Sequence, residues 1–124
     1  MKYIFVCNHG QHRSAMAARI AKELGDERGV KLETDYFGVN DCLSNREKGK
    51  ILEGADAVFV MEKNMFFDIK EVLRYEGKVI CLDVSNREYE RGNFPSFLEY
   101  KEEEREMRVK LMNSFCLLGF YRKK

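Results

Sequence analysis

Apolar residues fall in short blocks along this chain, and the spacing between them switches from continuous to helical and back. Residues 2 to 7, KYIFVC, are β-branched and aromatic and end where polar residues and glycine begin, which predicts a buried strand. Residues 14 to 24, SAMAARIAKEL, place Met16, Ile20 and Leu24 on one helical face. Ser14 is the N-cap or a first-turn residue, and Gly25 and Gly29 mark the helix end. Residues 31 to 37, KLETDYF, alternate well enough for a second strand near an edge. A GVNDC loop then leads to a short helix starting near Ser44. ADAVFVM, 55 to 61, predicts a buried strand, and EKNMFFDIKEVLRY, 62 to 75, a helix with Met65, Ile69 and Val72 on one face, stopped by Gly77. KVICLDV, 78 to 84, is a further strand, and SNREYERGN a polar loop. From Pro95 a long helix carries Met107, Leu111, Phe115 and Leu118 on one face. Its charged run KEEEREMRVK reads as a solvated face, with Glu104–Arg108 and Glu106–Lys110 at the i, i+4 spacing.

Strands alternating with helices imply parallel strands joined by right-handed crossovers. The expected fold is α/β: a three-layer sandwich with a four-stranded parallel sheet, flavodoxin-like in order 2-1-3-4, and helices on both faces. The continuous apolar blocks at 55–61 and 79–82 suit a sheet covered on both faces. Ligands bind beyond the C-terminal ends of such strands. Cys7 ends the first strand, Asp83 ends the last, and Cys42 lies in or beside the loop after the second, so the reactive side chains gather on one rim.

The bulk properties narrow the classes. A chain of 124 residues is expected to form one domain, 1–124, with a real core and no need of disulfides. A net charge of +1 gives no attraction to nucleic acid or membrane. The cysteines at 7, 42, 81 and 116 are too scattered for a disulfide framework and fit a reducing cytoplasm. The apolar run Tyr3 to Cys7 is too short for a signal peptide, and no run approaches transmembrane length.

The stretch CNHGQHRS, 7 to 14, holds both histidines of the chain, a cysteine and an arginine. Cys7, His9 and His12 could serve as metal ligands, or the loop could cradle an anion. A strand, this loop and then a helix favour the anion, because the free N–H groups and positive dipole end of the helix face the loop. Amides from Asn8 through His9, Gly10, Gln11 and His12 to Ser14 can turn inward as a nest, with Gly10 free to take a left-handed conformation. Arg13 offers a planar fork for two phosphate oxygens. The same positive surroundings favour a Cys7 thiolate, and Ser14 can donate a hydrogen bond to it. A cation would be opposed in such a nest, so no metal is expected.

Cysteine, five residues, then Arg-Ser is the signature of cysteine-dependent phosphatases. The chain resembles the low-molecular-weight protein tyrosine phosphatase family, in its small prokaryotic branch, from residue 1 to about 112. The likeness takes in the loop, FGVN at 37–40, EGADAVFVMEKN at 53–64 and KVICLDV at 78–84. It implies a phosphoric monoester hydrolase without cofactor, acting on a phosphorylated protein, phosphotyrosine foremost, or a small phosphate ester. Cys7 would be the nucleophile, Arg13 and the loop amides of Asn8 to Ser14 the phosphate cradle, and Asp83 the general acid. The family's acid usually stands in Asp-Pro, but Val84 follows here, which leaves Glu88 and Glu90 as alternatives. The family's loop usually has Asn at its fourth position, where this chain has Gly10, and often a second cysteine, where His12 stands. The usual paired aromatics are missing after Asp83, with Tyr89 and Phe94 as candidates to line the cleft. Other readings are a pseudo-phosphatase that binds phospho-ligands or anions without turnover, and arsenate reduction on the same fold. The latter usually relays through two close cysteines that residues 84 to 94 lack. A phosphotransferase-system B component would not use Arg13.

Overall fold

Four strands form the sheet, each an apolar block of the sequence: β1 Lys2–Cys7, β2 Glu33–Gly38, β3 Ala57–Val60 and β4 Lys78–Cys81. The structure, a computed structural model, describes residues 1–8, 12–84 and 96–118. All pairings are parallel and the order is β2-β1-β3-β4, as the alternation of elements requires. Between the strands lie α1 Arg13–Glu27, α2 Asn45–Leu52 and α3 Met65–Phe67, which runs on as a π turn over Asp68–Val72. The last helix, α4, spans Phe97–Leu118. Right-handed crossovers set α1 on one face and α2 and α3 on the other. α4 packs beside α1. Among the described residues no helix is long and apolar enough to cross a membrane.

The central strands carry the core. Every residue of β1 from Tyr3 to Cys7 is buried, and so is all of β3. Phe59 is the hub of an aromatic cluster, with ring centroids 5.1 Å from Tyr3, 5.0 Å from Phe5 and 5.8 Å from Phe115 of α4. The edge strands are less covered. β4 is half-buried at best, against the expectation of a strand sealed on both faces, because among the described residues β3 alone pairs with it.

Several local expectations shift. The first helix runs through Gly25 to Glu27 instead of stopping there. A Cβ at Gly25 would lie 3.2 Å from both Leu32 Cβ and the Val30 carbonyl, so this glycine permits a close approach of the returning chain. Ser14 is a first-turn residue, and His12 takes the N-cap position. In α3, Met65 and Ile69 are buried but Val72 is 44% exposed. The Leu73 N–H reaches back five residues to the Asp68 carbonyl, and this wider turn rotates Val72 off the face and brings Leu73 towards the core. Ser44 does cap α2, accepting the Glu47 N–H at 3.1 Å.

On α4, Glu106 and Lys110 pair at 3.3 Å as expected, but Glu104 and Arg108 do not pair with each other. Both reach α1: Glu104 meets Arg19 at 2.5 Å and Arg108 meets Glu23 at 2.8 Å. Arg108 holds the Glu23 carboxyl below its ordinary range, and Arg19 does the same for Glu104. Exposed pairs of this kind contribute about 0–1 kcal/mol each. Burying Met107, Leu111 and Phe115 contributes about 1.5–3 kcal/mol each, so apolar contact docks α4 and the charges only set its register. Phe59→Ala is expected to lower the unfolding free energy by about 3–5 kcal/mol in urea titration, against at most about 1 kcal/mol for Glu104→Gln.

Candidate active site

Cys7 ends β1 opposite Gly38 of β2, and the pairing continues past both strands. The Val39 N–H donates to the Cys7 carbonyl at 2.9 Å and the Asn40 N–H to the Asn8 carbonyl at 2.8 Å. The loop after β2 therefore fastens the start of CNHGQHRS. That loop is knotted by Asp41, whose carboxylate accepts the N–H groups of Gly38 at 2.8 Å and Leu43 at 3.0 Å. The buried Lys48 lies 3.3 Å from Asp41 and donates to the Val39 carbonyl at 2.9 Å. Burial acts to raise the Asp41 carboxyl, but the Gly38 and Leu43 amides and the Lys48 ammonium outweigh it and hold it below the ordinary range.

The Cys7 sulfur lies 3.1 Å from the Ser14 hydroxyl, and both side chains are buried. Ser14 is the second residue of α1, so the thiol sits at a helix N-terminus. Among the described residues no side chain caps α1. Its first-turn amides and positive dipole end thus bear on the C-terminal rim of the sheet, the setting that favours an anion.

Arg13 is only 5% exposed. Its Nη1 donates to the Val84 carbonyl at 2.5 Å and meets Glu62 Oε1 at 3.2 Å. Glu62 lies just beyond β3 and Val84 just beyond β4, so one guanidinium ties the ends of two strands to the start of α1. Asp83 lies on the same rim, one residue before the carbonyl that Arg13 holds. Its side chain is exposed, and its backbone takes φ +58°, a left-handed conformation that aspartate tolerates better than most residues. The flanking backbone is fixed, with the Leu82 N–H on the Val60 carbonyl and the Val84 N–H on the Met61 carbonyl, both at 2.8 Å. Lys110 donates to the Asp83 carbonyl. The Val84 amide is in use, and a proline there would have none to donate.

His12 turns its ring towards α4, where Nε2 lies 2.8 Å from Glu103 Oε1. Glu103 is 1% exposed, so the run KEEEREMRVK is not wholly a solvated face.

No family model matches the sequence, and no curated protein does. Solved structures do match. The Bacillus subtilis arginine phosphatase YwlE, in a variant whose active-site serine is phosphorylated, superposes with a TM-score of 0.72 at 22% identity over 95% of each chain. A low molecular weight protein tyrosine phosphatase from T. tengcongensis gives 0.66 at 19% identity, over 94% of this chain and 99% of that one. The tyrosine phosphatase Wzb from Escherichia coli K30, in complex with sulphate, gives 0.64 at 14% identity, over 95% and 98%. The fold is that of the low molecular weight protein tyrosine phosphatases.

On this phosphatase fold Cys7, Arg13, Ser14 and the Asp83 segment come together at one rim, while His12 faces α4. Asn8 is half-buried at the end of β1. His9, Gly10 and Gln11 lie outside the described residues, as do Glu88, Glu90, Tyr89 and Phe94. Cys42 is exposed in the loop after β2, and Cys81 and Cys116 are half-buried. Sequence reading missed Glu62 and Glu103. Glu62 directly follows a buried strand, and Glu103 stands four residues before Met107, on the line of the buried stripe.

Asp41→Asn is expected to lower the unfolding free energy at pH 7 by about 1–3 kcal/mol. Because the folded carboxyl is depressed, its contribution is present above the unfolded value and is lost as pH falls through the acid range below about 4. The gap between wild type and variant, read from urea midpoints at pH 7, 4 and 3, narrows with acid.

Proposed function

We propose that the protein is a cysteine-dependent phosphatase that hydrolyses phosphate monoesters, phosphotyrosine on protein foremost. The observation that carries this reading is the Cys7 thiol at the N-terminus of α1, 3.1 Å from the hydroxyl of Ser14, which directly follows the buried Arg13. A thiolate in that place gains from the helix dipole and from the hydroxyl proton. Cys7 attacks phosphorus in line with the ester oxygen, a P–S bond forms, and the P–O ester bond breaks. Asp83 gives its proton to the leaving oxygen and then, as carboxylate, takes one from the attacking water. Water breaks the P–S bond, which releases inorganic phosphate and returns the thiolate. Arg13 spends Nη1 on Val84 and Glu62, and its Nε and Nη2 edge has the fork shape that matches two equatorial oxygens. The fold shared with phosphatases supports the reading.

The test is steady-state hydrolysis of p-nitrophenyl phosphate from pH 5 to 8, with chelator. Wild type is expected to turn over, Cys7→Ser to lose activity, and Asp83→Asn to fall by about 10²–10⁴-fold. Unchanged activity in Asp83→Asn moves the acid to Glu88 or Glu90. No wild-type turnover overturns the enzyme reading in favour of a phospho-ligand binder. Peptides carrying phosphotyrosine or phosphoarginine separate an ester from a phosphoramidate substrate, and a preference for the second replaces the first.

A further inference from the structure

We propose that Glu103 is a positioning residue for the anion-binding end of α1 and acts through His12. Residues 103, 107, 111 and 115 follow one another at four-residue steps on α4, and all four are buried. Three are apolar and dock α4; the fourth is a carboxylate. A carboxylate in such a place needs a proton donor close by. His12 is the group beside it, with Nε2 2.8 Å from Glu103 Oε1. Both facing atoms are shut off from solvent. Tyr100, three residues before Glu103 on the same helical face, lies beside the imidazole with ring centroids 6.1 Å apart and planes tilted by 59°. The Tyr100 hydroxyl is in turn held by Arg19 at 3.1 Å. α4 thus fixes both the direction of the ring and the face it presents.

His12 is the N-cap residue of α1, yet its side chain does not cap. Its carbonyl accepts the Met16 N–H at 2.9 Å, and Arg13 and Ser14 follow it directly. Directing the imidazole therefore directs the turn that carries the guanidinium and the hydroxyl beside Cys7. The contacts of Arg13 with Val84 and of Ser14 with Cys7 hold that turn from the sheet, and Glu103 holds it from α4. Simple helix docking has its own contact further along, Arg108–Glu23, which touches neither the turn nor Tyr100. The inference rests on the reading of this rim as a phosphate site, and a binding measurement separates it from turnover.

Inorganic phosphate is titrated calorimetrically into the full chain as wild type, Glu103→Gln, His12→Gln, the double variant and Arg108→Gln. Each of the first two single variants is expected to weaken the phosphate Kd by about tenfold, as a displaced binding turn would. The double variant is expected to be no weaker than the weaker single, since the two residues act as one unit. Arg108→Gln, which loosens the same two helices elsewhere, is expected to stay within about twofold of wild type. Unchanged binding in Glu103→Gln and His12→Gln overturns the proposal. So do losses that multiply in the double variant, an equal loss in Arg108→Gln, or a wild type that binds no phosphate. If Glu103→Gln does not fold, His12→Gln decides alone, since its side chain is 36% exposed and its loss is milder for the core. The expected binding pattern without any Cys7-dependent turnover sinks the phosphatase reading and leaves the positioning role standing.

Discussion

A guanidinium that cannot shed its charge and lies almost wholly out of water must be surrounded by acceptors, and Arg13 finds them at the ends of two different strands. The Val84 carbonyl and the Glu62 carboxylate reach one nitrogen only because β3 and β4 run parallel and end on the same rim. The start of α1 must then lie over that rim, next to the end of β1. The sheet order, the path of the first crossover and the burial of Arg13 are one constraint seen from three sides. With one partner removed, a buried charge would remain without compensation, which costs more than the pair contributes when intact.

The same constraint shapes the chemistry of the rim. β1 is clamped between two strands, and its end is held by the Asp41 knot, so Cys7 has little freedom to move. Ser14 and Arg13 arrive on consecutive positions of a helix, which fixes their separation. Asp83 is the exception, with a held backbone and an exposed carboxyl. Its left-handed φ is sustained by hydrogen bonds on both flanks and from Lys110.

α4 joins the two ends of the molecule's logic. Its apolar stripe closes the core over Phe59 through Phe115, and one turn of the same stripe is given to Glu103. The helix that completes the core thereby also touches the turn beside the candidate nucleophile.

The sequence by itself determined the order of elements, the parallel sheet and the rim on which Cys7 and Arg13 would stand. Each of these follows from local patterns: continuous apolar runs for β1 and β3, four-residue spacing for α1 and α4, and a polar loop between strand and helix. The tertiary structure alone decided the partners. Glu104 and Arg108 have the spacing to pair with each other, yet both cross to α1, because docking brought closer charges than the helix itself offered. Val72 left its predicted face because a single π turn changed the rotation per residue. Glu62 and Glu103 look like surface carboxylates in the chain and become the partners of Arg13 and His12 only when elements far apart in sequence meet. Periodicity reports which way a residue faces along its own element. What it meets there depends on distances between elements, and no local pattern encodes those.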